Sequence, residues 1–172
     1  DWPACEAGQG PACARLATSF RDGLGITADT RASVRMLEEA CAYGEPAACL
    51  EAGDDYYHGV FVKRDRVQSD ALYREAMLRL SERCDEGWFG ACHELGVRFY
   101  GREGDYQDRA AARRVLYRAC AGRELEACLP LAGLYESGPE GSRDPEAAHA
   151  LYEATCAAGV RPACEQLKRE AK

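Results

Sequence analysis

The sequence lacks several features that would assign it to common functional classes. Its 172 residues contain no run of about 18 apolar residues, which a membrane-spanning helix requires. They include 29 acidic and 22 basic side chains, a net charge of −7, whereas a nucleic-acid-binding surface needs a basic face. Blocks of like charge are also missing, so no disordered charged tail is expected. The absence of these features argues against a membrane span and against nucleic acid as a partner.

The sequence also lacks the strings that mark common catalytic sites. It contains no G-x-S-x-G, H-E-x-x-H, P-loop or G-x-G-x-x-G pattern. Its three histidines share no helix-face spacing, and adjacent acids such as Asp54 and Asp55 splay apart on a helix instead of facing each other across a cleft. We therefore expect no enzyme activity, no cofactor and no metal site.

Cysteine is what the sequence has in abundance. All ten cysteines fall into five pairs with the spacing Cys-x7-Cys, and an alanine precedes the second cysteine of every pair. A glycine stands three residues after the first cysteine in four pairs, whereas the fourth pair has Gly122 one place early and Arg123 at the expected position. The pairs are Cys5 and Cys13, Cys41 and Cys49, Cys84 and Cys92, Cys120 and Cys128, and Cys156 and Cys164.

The pairs recur with the period of a repeat protein. Successive first cysteines are 36, 43, 36 and 36 residues apart. Sixteen residues after the second cysteine of each of the first four pairs stands an aspartate: Asp29, Asp65, Asp108 and Asp144. The longer interval has seven extra residues, all of which follow Asp65. Because seven residues are close to two turns of α-helix, the sequence predicts a longer helix there and not a longer loop.

Each repeat is predicted to contain two helices. Helix A carries the second cysteine, and positions +3, +4 and +7 counted from it form one apolar stripe with a small residue at +4. Prolines in the first turn and glycines after the last turn set its bounds: Pro11, Pro46, Pro162, Gly23, Gly59, Gly101 and Gly138. Helix B begins at the aspartate, which can cap it, and ends at the next first cysteine. Pro130 falls inside the fourth helix A and should kink or delay it.

The two cysteines of a pair flank the tight turn between helix B and the next helix A. A disulfide within each pair would hold that corner closed and, since each ring is small, would contribute about 2.5 kcal/mol. Zinc ligation and reduced or reshuffled thiols are the alternatives, although the spacing differs from the C-x-x-C pairs of structural zinc sites. Five disulfides predict a periplasmic or secreted protein, and we expect that a leader segment before Asp1 has been removed.

The strings Ala91-Cys92-His93-Glu94-Leu95-Gly96 and Ala150-Leu151-Tyr152, with Gly59 ahead of Asp65, resemble the Sel-one-like repeat (SLR), a 36-residue relative of the tetratricopeptide repeat. The Cys-x7-Cys pairs are similar to those of bacterial cysteine-rich secreted members. The resemblance implies an all-α, right-handed α/α superhelix of tandem helical hairpins, with helices A lining a concave face. It implies one domain over 1–172, with units of about 1–40, 41–83, 84–119 and 120–155 and a C-terminal cap of 156–172.

For function, the resemblance implies a scaffold, an adaptor or a partner-binding protein. Some relatives are periplasmic immunity proteins that neutralise a secreted toxin, and penicillin binding with weak β-lactamase activity is ascribed to some cysteine-rich members. This sequence has no S-x-x-K string, the usual arrangement of a penicillin-reactive serine. Protein binding is therefore the main expectation, and a cell-wall-fragment or β-lactam binder with weak hydrolase activity is the alternative.

Positions +2, +6 and +9 of helix A lie opposite the apolar stripe, so we expect them to face the concave side. The predicted partner-binding residues are Arg15, Glu51, Asp55, His58, Glu94, Arg98 and Leu134. Their mixed charge suits a polar protein partner, such as a secreted toxin or an envelope protein. Trp88 and Phe89 are expected to pack beneath the longer helix B, with a role as interface anchors as the alternative.

Overall fold

Helices joined by turns and short loops make up the part of the chain that the structure describes. The structure, a computed structural model, describes residues 1–100, 108–137 and 143–170. No strand occurs within these ranges, which confirms the all-α prediction. The helices are α1 (Trp2–Glu6), α2 (Gly10–Asp22), α3 (Thr30–Ala42), α4 (Pro46–His58), α5 (Arg66–Asp85), α6 (Phe89–Tyr100), α7 (Arg109–Ala121), the 3-10 turn η1 (Leu125–Ala127), α8 (Cys128–Ser137), α9 (Pro145–Ala157) and α10 (Arg161–Glu170).

The four repeated aspartates cap helices B, as predicted. Each carboxylate accepts a hydrogen bond from the backbone N–H three residues later, at 2.8–3.1 Å. These bonds satisfy N–H groups that have no partner inside the helix. The capped helices are α3, α5, α7 and α9.

The seven extra residues of the long repeat lengthen a helix, as predicted. Helix α5 has 20 residues, whereas α3, α7 and α9 have 13 residues each. The difference amounts to two helical turns.

Glycines end the first two helices A in the left-handed conformation. Gly23 after α2 and Gly59 after α4 both have φ of 69°, a backbone angle that glycine adopts without a steric penalty. The corresponding predictions for Gly101 and Gly138 fall outside the described residues.

Five disulfides close the corners between helices B and the following helices A. Every one joins the two cysteines of its own pair, with Cα–Cα distances of 4.7–4.9 Å, which confirms the predicted pairing. At each corner the residue three after the first cysteine donates its N–H to that cysteine's carbonyl oxygen, at 2.9–3.1 Å. The next N–H is donated to the carbonyl five residues earlier, at 3.0–3.1 Å. This is the hydrogen-bond pattern of a Schellman turn.

The fourth corner makes the same turn without glycine at the left-handed position. The glycines of the other corners have φ of 81° to 92°, and Arg123 has φ of 71°. At the residue before Arg123, position 122, only glycine fits, because a Cβ there would overlap the ring of Phe89. The close approach of Phe89 therefore explains why the glycine of this corner is displaced.

Pro130 delays the fourth helix A, as predicted. The helices α2, α4, α6 and α10 begin three residues before their cysteine, whereas α8 begins at Cys128 itself and is preceded by η1. Pro130 has no N–H to donate to the carbonyl of Glu126 four residues earlier, so an α-helical turn starting at Leu125 would lack that bond.

The small residue at +4 of helix A lets a helix B pack closely. A Cβ on Gly53 of α4 would lie 2.8 Å from Cε1 of Tyr73 on α5. A Cβ on Gly96 of α6 would overlap Leu116 of α7, which is fully buried. The predicted stripe is buried at both +3 and +4: Leu16, Ala17, Ala52, Gly53, Leu95, Gly96, Leu131 and Ala132.

The backbone divides into two compact units, Asp1–Arg79 and Leu80–Lys172. In the first unit, Glu38 of α3 accepts hydrogen bonds from Tyr56 of α4 at 3.0 Å and from Gln68 of α5 at 3.2 Å. In the second unit, a buried cluster joins Leu116 of α7 to two leucines of α8 and to the Cys84–Cys92 disulfide. The apolar core of the second unit therefore includes a disulfide.

Candidate functional site

The seven predicted partner-binding residues differ widely in exposure. Arg15, His58 and Glu94 are exposed, and Glu51 and Arg98 are half-buried. Asp55 and Leu134 retain only 8% and 5% of their accessible surface. The prediction that these two side chains face solvent is therefore wrong.

Both buried residues occupy position +6 of helix A. Leu134 of α8 lies in the same buried cluster as Leu116 and Leu131. In these two helices A, position +6 is buried as well as positions +3 and +4. The buried side of the helix is therefore wider than the apolar stripe predicts. The exposed surface of helix A is correspondingly narrower.

The charged residues of helices A in the first unit are engaged with other parts of that unit. Arg15 donates to the Asp1 carboxylate at 2.9 Å. Glu51 of α4 pairs with Arg21 of α2, so this ion pair links consecutive helices A. The Arg21 guanidinium also lies 5.9 Å from the ring centroid of Phe61. The charged groups on this surface are therefore paired within the first unit.

Asp55 is a buried carboxyl whose ionised form is disfavoured. Burial raises the pKa of Asp55 above its ordinary value of 3.8, the charge of Arg21 opposes this shift, and Glu51 and Asp54 add to it. Among the described residues, its Oδ2 has no hydrogen-bond partner. Asp55 therefore belongs to the packed side of α4 and is inaccessible to a partner.

The corner that precedes α6, the helix A of the third repeat, carries an exposed aromatic residue, Trp88. The Trp88 side chain is 69% exposed, so the prediction that it packs beneath the longer helix is wrong. Phe89 is 39% exposed and packs against Gly122 instead. One turn further along α6, Glu94 and Arg98 form an ion pair at 3.5 Å.

Three metal-ligating side chains that the sequence analysis did not connect lie together in the second unit. His93 of α6, Glu124 and Glu126 place one ligand atom each within 4.8 Å of one another. The histidine spacings gave no sign of this group, because its other members are carboxylates of the next repeat. Comparing repeats would have given a signal, since His93 stands where other repeats have Ala14, Leu50 and Leu129.

A comparison with protein families matches the Sel1 repeat four times, over residues 10–44, 46–77, 89–122 and 125–160. The chain belongs to the Sel1 repeat family. Each matched repeat begins at or near helix A and runs into helix B, although the second match ends inside α5. The Cys41–Cys49 and Cys120–Cys128 disulfides therefore join the end of one matched repeat to the start of the next, whereas Cys84 lies between two matched repeats.

Solved structures show the same fold. One is c5321, a protective antigen present in uropathogenic Escherichia coli strains and displaying an SLR fold, with a TM-score of 0.64 and 23% identity over 93% of this chain and 33% of that one. Another is a Sel1 repeat protein from Oxalobacter formigenes, with a TM-score of 0.66 and 18% identity over 91% of this chain and 62% of that one. The chain thus spans about a third and about three fifths of these proteins. No curated protein matches it.

Sel1 repeats are typically modules of protein–protein interaction and generally non-enzymatic scaffolds. The five disulfides indicate an oxidising environment outside the cytoplasm. Among the described residues, no helix is both long and apolar enough to span a membrane.

Proposed function

We propose that this Sel1 repeat protein binds another protein outside the cytoplasm, through the exposed surface of its helices A and of the corner that precedes α6, with Trp88 of that corner as the anchor. The observation that carries the proposal is the 69% exposure of the Trp88 side chain. Tryptophan is enriched among the residues that dominate binding energy in protein interfaces. Its equivalents in the other corners are Gln9, Glu45, Glu124 and Val160, so the repeat itself does not require an aromatic residue there.

The backbone at Trp88 is already ordered. Trp88 lies inside the nine-residue ring closed by the Cys84–Cys92 disulfide, and its N–H donates to the carbonyl of Arg83 at 3.0 Å. A residue held in this way loses little backbone freedom when a partner binds, which favours affinity. Further along α6, Glu94 and Arg98 form an ion pair that adds charged groups to the surface of this helix.

The predicted contacts Arg15, Glu51 and His58 in the first unit are retained in this proposal. Arg15 and His58 are exposed and Glu51 is half-buried, and Arg15 and Glu51 form ion pairs with Asp1 and Arg21. Charged groups of this kind steer association and select partners more than they add affinity. With a net charge of −7, the chain favours a partner that presents basic groups.

Site-specific photo-crosslinking tests which surface binds. A photoreactive phenylalanine analogue is placed at Glu94 on a helix A or at Tyr117 on a helix B of the same unit, where Tyr117 is 60% exposed. After incubation with the envelope fraction of the source cells, we expect a discrete protein adduct from position 94 and none from position 117. Adducts from position 117 alone would contradict the proposal.

The recovered partner then allows the anchor to be measured. Trp88→Ala should weaken the complex at least about thirty-fold, since interface hot spots contribute about 2 kcal/mol or more. Val67→Ala is the matched control, because Val67 is 79% exposed but lies on a helix B. Equal affinities for Trp88→Ala and the wild-type protein would show that Trp88 is not the anchor.

A narrower form of the proposal is that the partner is an enzyme, such as a secreted toxin, which this protein inhibits. The acidic charge and the corner disulfides support it, since they suit a preorganised protein that meets its partner outside the cytoplasm. Inhibition of the captured enzyme by an equimolar amount of this protein, relieved by Trp88→Ala, would support the immunity role. If the captured enzyme kept its activity, the role of this protein would instead be that of a scaffold or an adaptor. A covalent mass adduct with a β-lactam would instead favour the cell-wall-ligand alternative.

A further inference from the structure

A histidine and two glutamates converge where the third repeat meets the fourth. One ligand atom each from His93, Glu124 and Glu126 lies within 4.8 Å of the other two. The His93 and Glu124 side chains are half-buried, and Glu126 is exposed. Oε2 of Glu124 lies 3.9 Å from the Cβ position of Gly90, in the first turn of α6. The Glu124 carboxylate therefore lies close to the start of α6, the helix that carries His93.

The other repeats show that the Sel1 hairpin does not need these donors. At the step from the fourth repeat to α10, the equivalent residues are Leu129, Val160 and Pro162, all of them apolar. At the first step they are Ala14, Glu45 and Ala47, which include a single ligand-type side chain. Side chains that can bind a metal therefore occupy three positions that are filled by apolar residues at the last step, so the fold does not require polar groups there.

We propose that His93, Glu124 and Glu126 bind a divalent transition-metal ion of the zinc class. One imidazole and two carboxylates are ligands that Zn²⁺ accepts, whereas Ca²⁺ and Mg²⁺ favour all-oxygen sites. Ligands about 2.0–2.2 Å from a tetrahedral ion stand about 3.4 Å apart. The present separations are at most 4.8 Å, so binding of the ion requires rotations of these side chains that bring the ligand atoms closer together. Three protein ligands leave a fourth position for water or for a group of a partner.

The metal would act at the corner that departs most from the repeat pattern. This corner has Arg123 in the left-handed conformation, with φ of 71°. Its helix A also begins late, through the 3-10 turn η1 and Pro130. An ion held by His93 of α6 and by the two glutamates would join this corner to the preceding helix A. It would thus stabilise a turn that lacks the usual glycine.

Zinc titration of the tag-free, disulfide-intact protein tests the site. All ten cysteines are in disulfides, so thiols do not compete for the ion. Isothermal titration calorimetry should give one Zn²⁺ per chain, and His93→Gln and Glu126→Gln should each weaken binding at least about ten-fold. Ca²⁺ and Mg²⁺ should not compete.

His149→Gln is the matched control. His149 of α9 lies in the same unit and its Nε2 is 3.5 Å from a Glu153 carboxylate oxygen, so it offers a histidine–glutamate pair on a single helix. We expect His149→Gln to bind Zn²⁺ within about two-fold of wild type, and Zn²⁺ to raise the melting temperature of both proteins but not of His93→Gln. No binding at millimolar Zn²⁺, or equal binding by His93→Gln and wild type, would overturn the proposal.

Discussion

Replacing Arg123 by glycine should stabilise the protein. Arg123 has φ of 71° at a corner where the other four repeats have glycine, and its side chain is exposed. For a residue with a Cβ, the left-handed conformation costs roughly 1–2 kcal/mol. Glycine removes this steric cost but gives the unfolded chain more freedom, which costs about 0.5–1 kcal/mol. The free energy of unfolding should therefore rise by about 0.5–1 kcal/mol for Arg123→Gly.

Urea unfolding of the disulfide-intact protein measures this change. With a slope of about 2 kcal/mol per molar urea, the midpoint should rise by about 0.3–0.5 M at unchanged slope. For a chain of this length, the melting temperature should rise by about 1–4 °C.

Two variants separate backbone strain from other effects. Arg123→Ala removes the charge and most of the side chain but keeps a Cβ at positive φ, so its stability should stay close to that of wild type. Gly159→Ala makes the reverse change at the last corner, where φ is 92° and no atom lies within 4 Å of the new Cβ. It should lower the free energy of unfolding by about 1 kcal/mol or more. Equal stabilities for Arg123→Gly and Arg123→Ala would refute the argument from backbone conformation.

Three further predictions concern packing, charge and the disulfides. Gly96→Ala should destabilise the protein by about 1–3 kcal/mol, because the new Cβ overlaps the buried Leu116, whereas Gly90→Ala on the same helix should be tolerated in thermal melts. Burial raises the pKa of Asp55 above 3.8, so the folded state is favoured when Asp55 is protonated and loses this contribution as the pH rises. Asp55→Asn should therefore be more stable than wild type at pH 7. The difference between their urea midpoints should become smaller as the pH is lowered towards 4. A difference that grows on acidification would contradict this reasoning. Replacing Cys156 and Cys164 together by serine should lower the free energy of unfolding by about 2.5 kcal/mol, and an unchanged urea midpoint would show that this disulfide contributes little.

The helices and corners could be predicted from the sequence because their determinants are local. An aspartate caps each helix B from three residues away, and each disulfide closes a ring of nine residues. The seven-residue insertion could be assigned to a helix because seven residues are close to two helical turns, and α5 is longer by that amount. Five repetitions of one pattern made these assignments stronger than a single copy would.

The candidate surface was predicted less well because it depends on contacts between repeats. The apolar stripe identifies one buried side of helix A but not the additional burial of Asp55 and Leu134 at +6. The packing of Phe89 also depends on a residue of the next repeat, Gly122, where a Cβ would overlap its ring. His93, Glu124 and Glu126 likewise meet only once two repeats are stacked.

The most direct test of the corner-by-corner disulfides is mass spectrometry of the non-reduced protein. None of the ten cysteines should react with an alkylating reagent under denaturing conditions, and digestion should yield the five Cys-x7-Cys links. Trypsin cleavage after Arg123 should open the Cys120–Cys128 ring without releasing either half. Alkylated cysteines, or peptides joining cysteines of different pairs, would contradict the account.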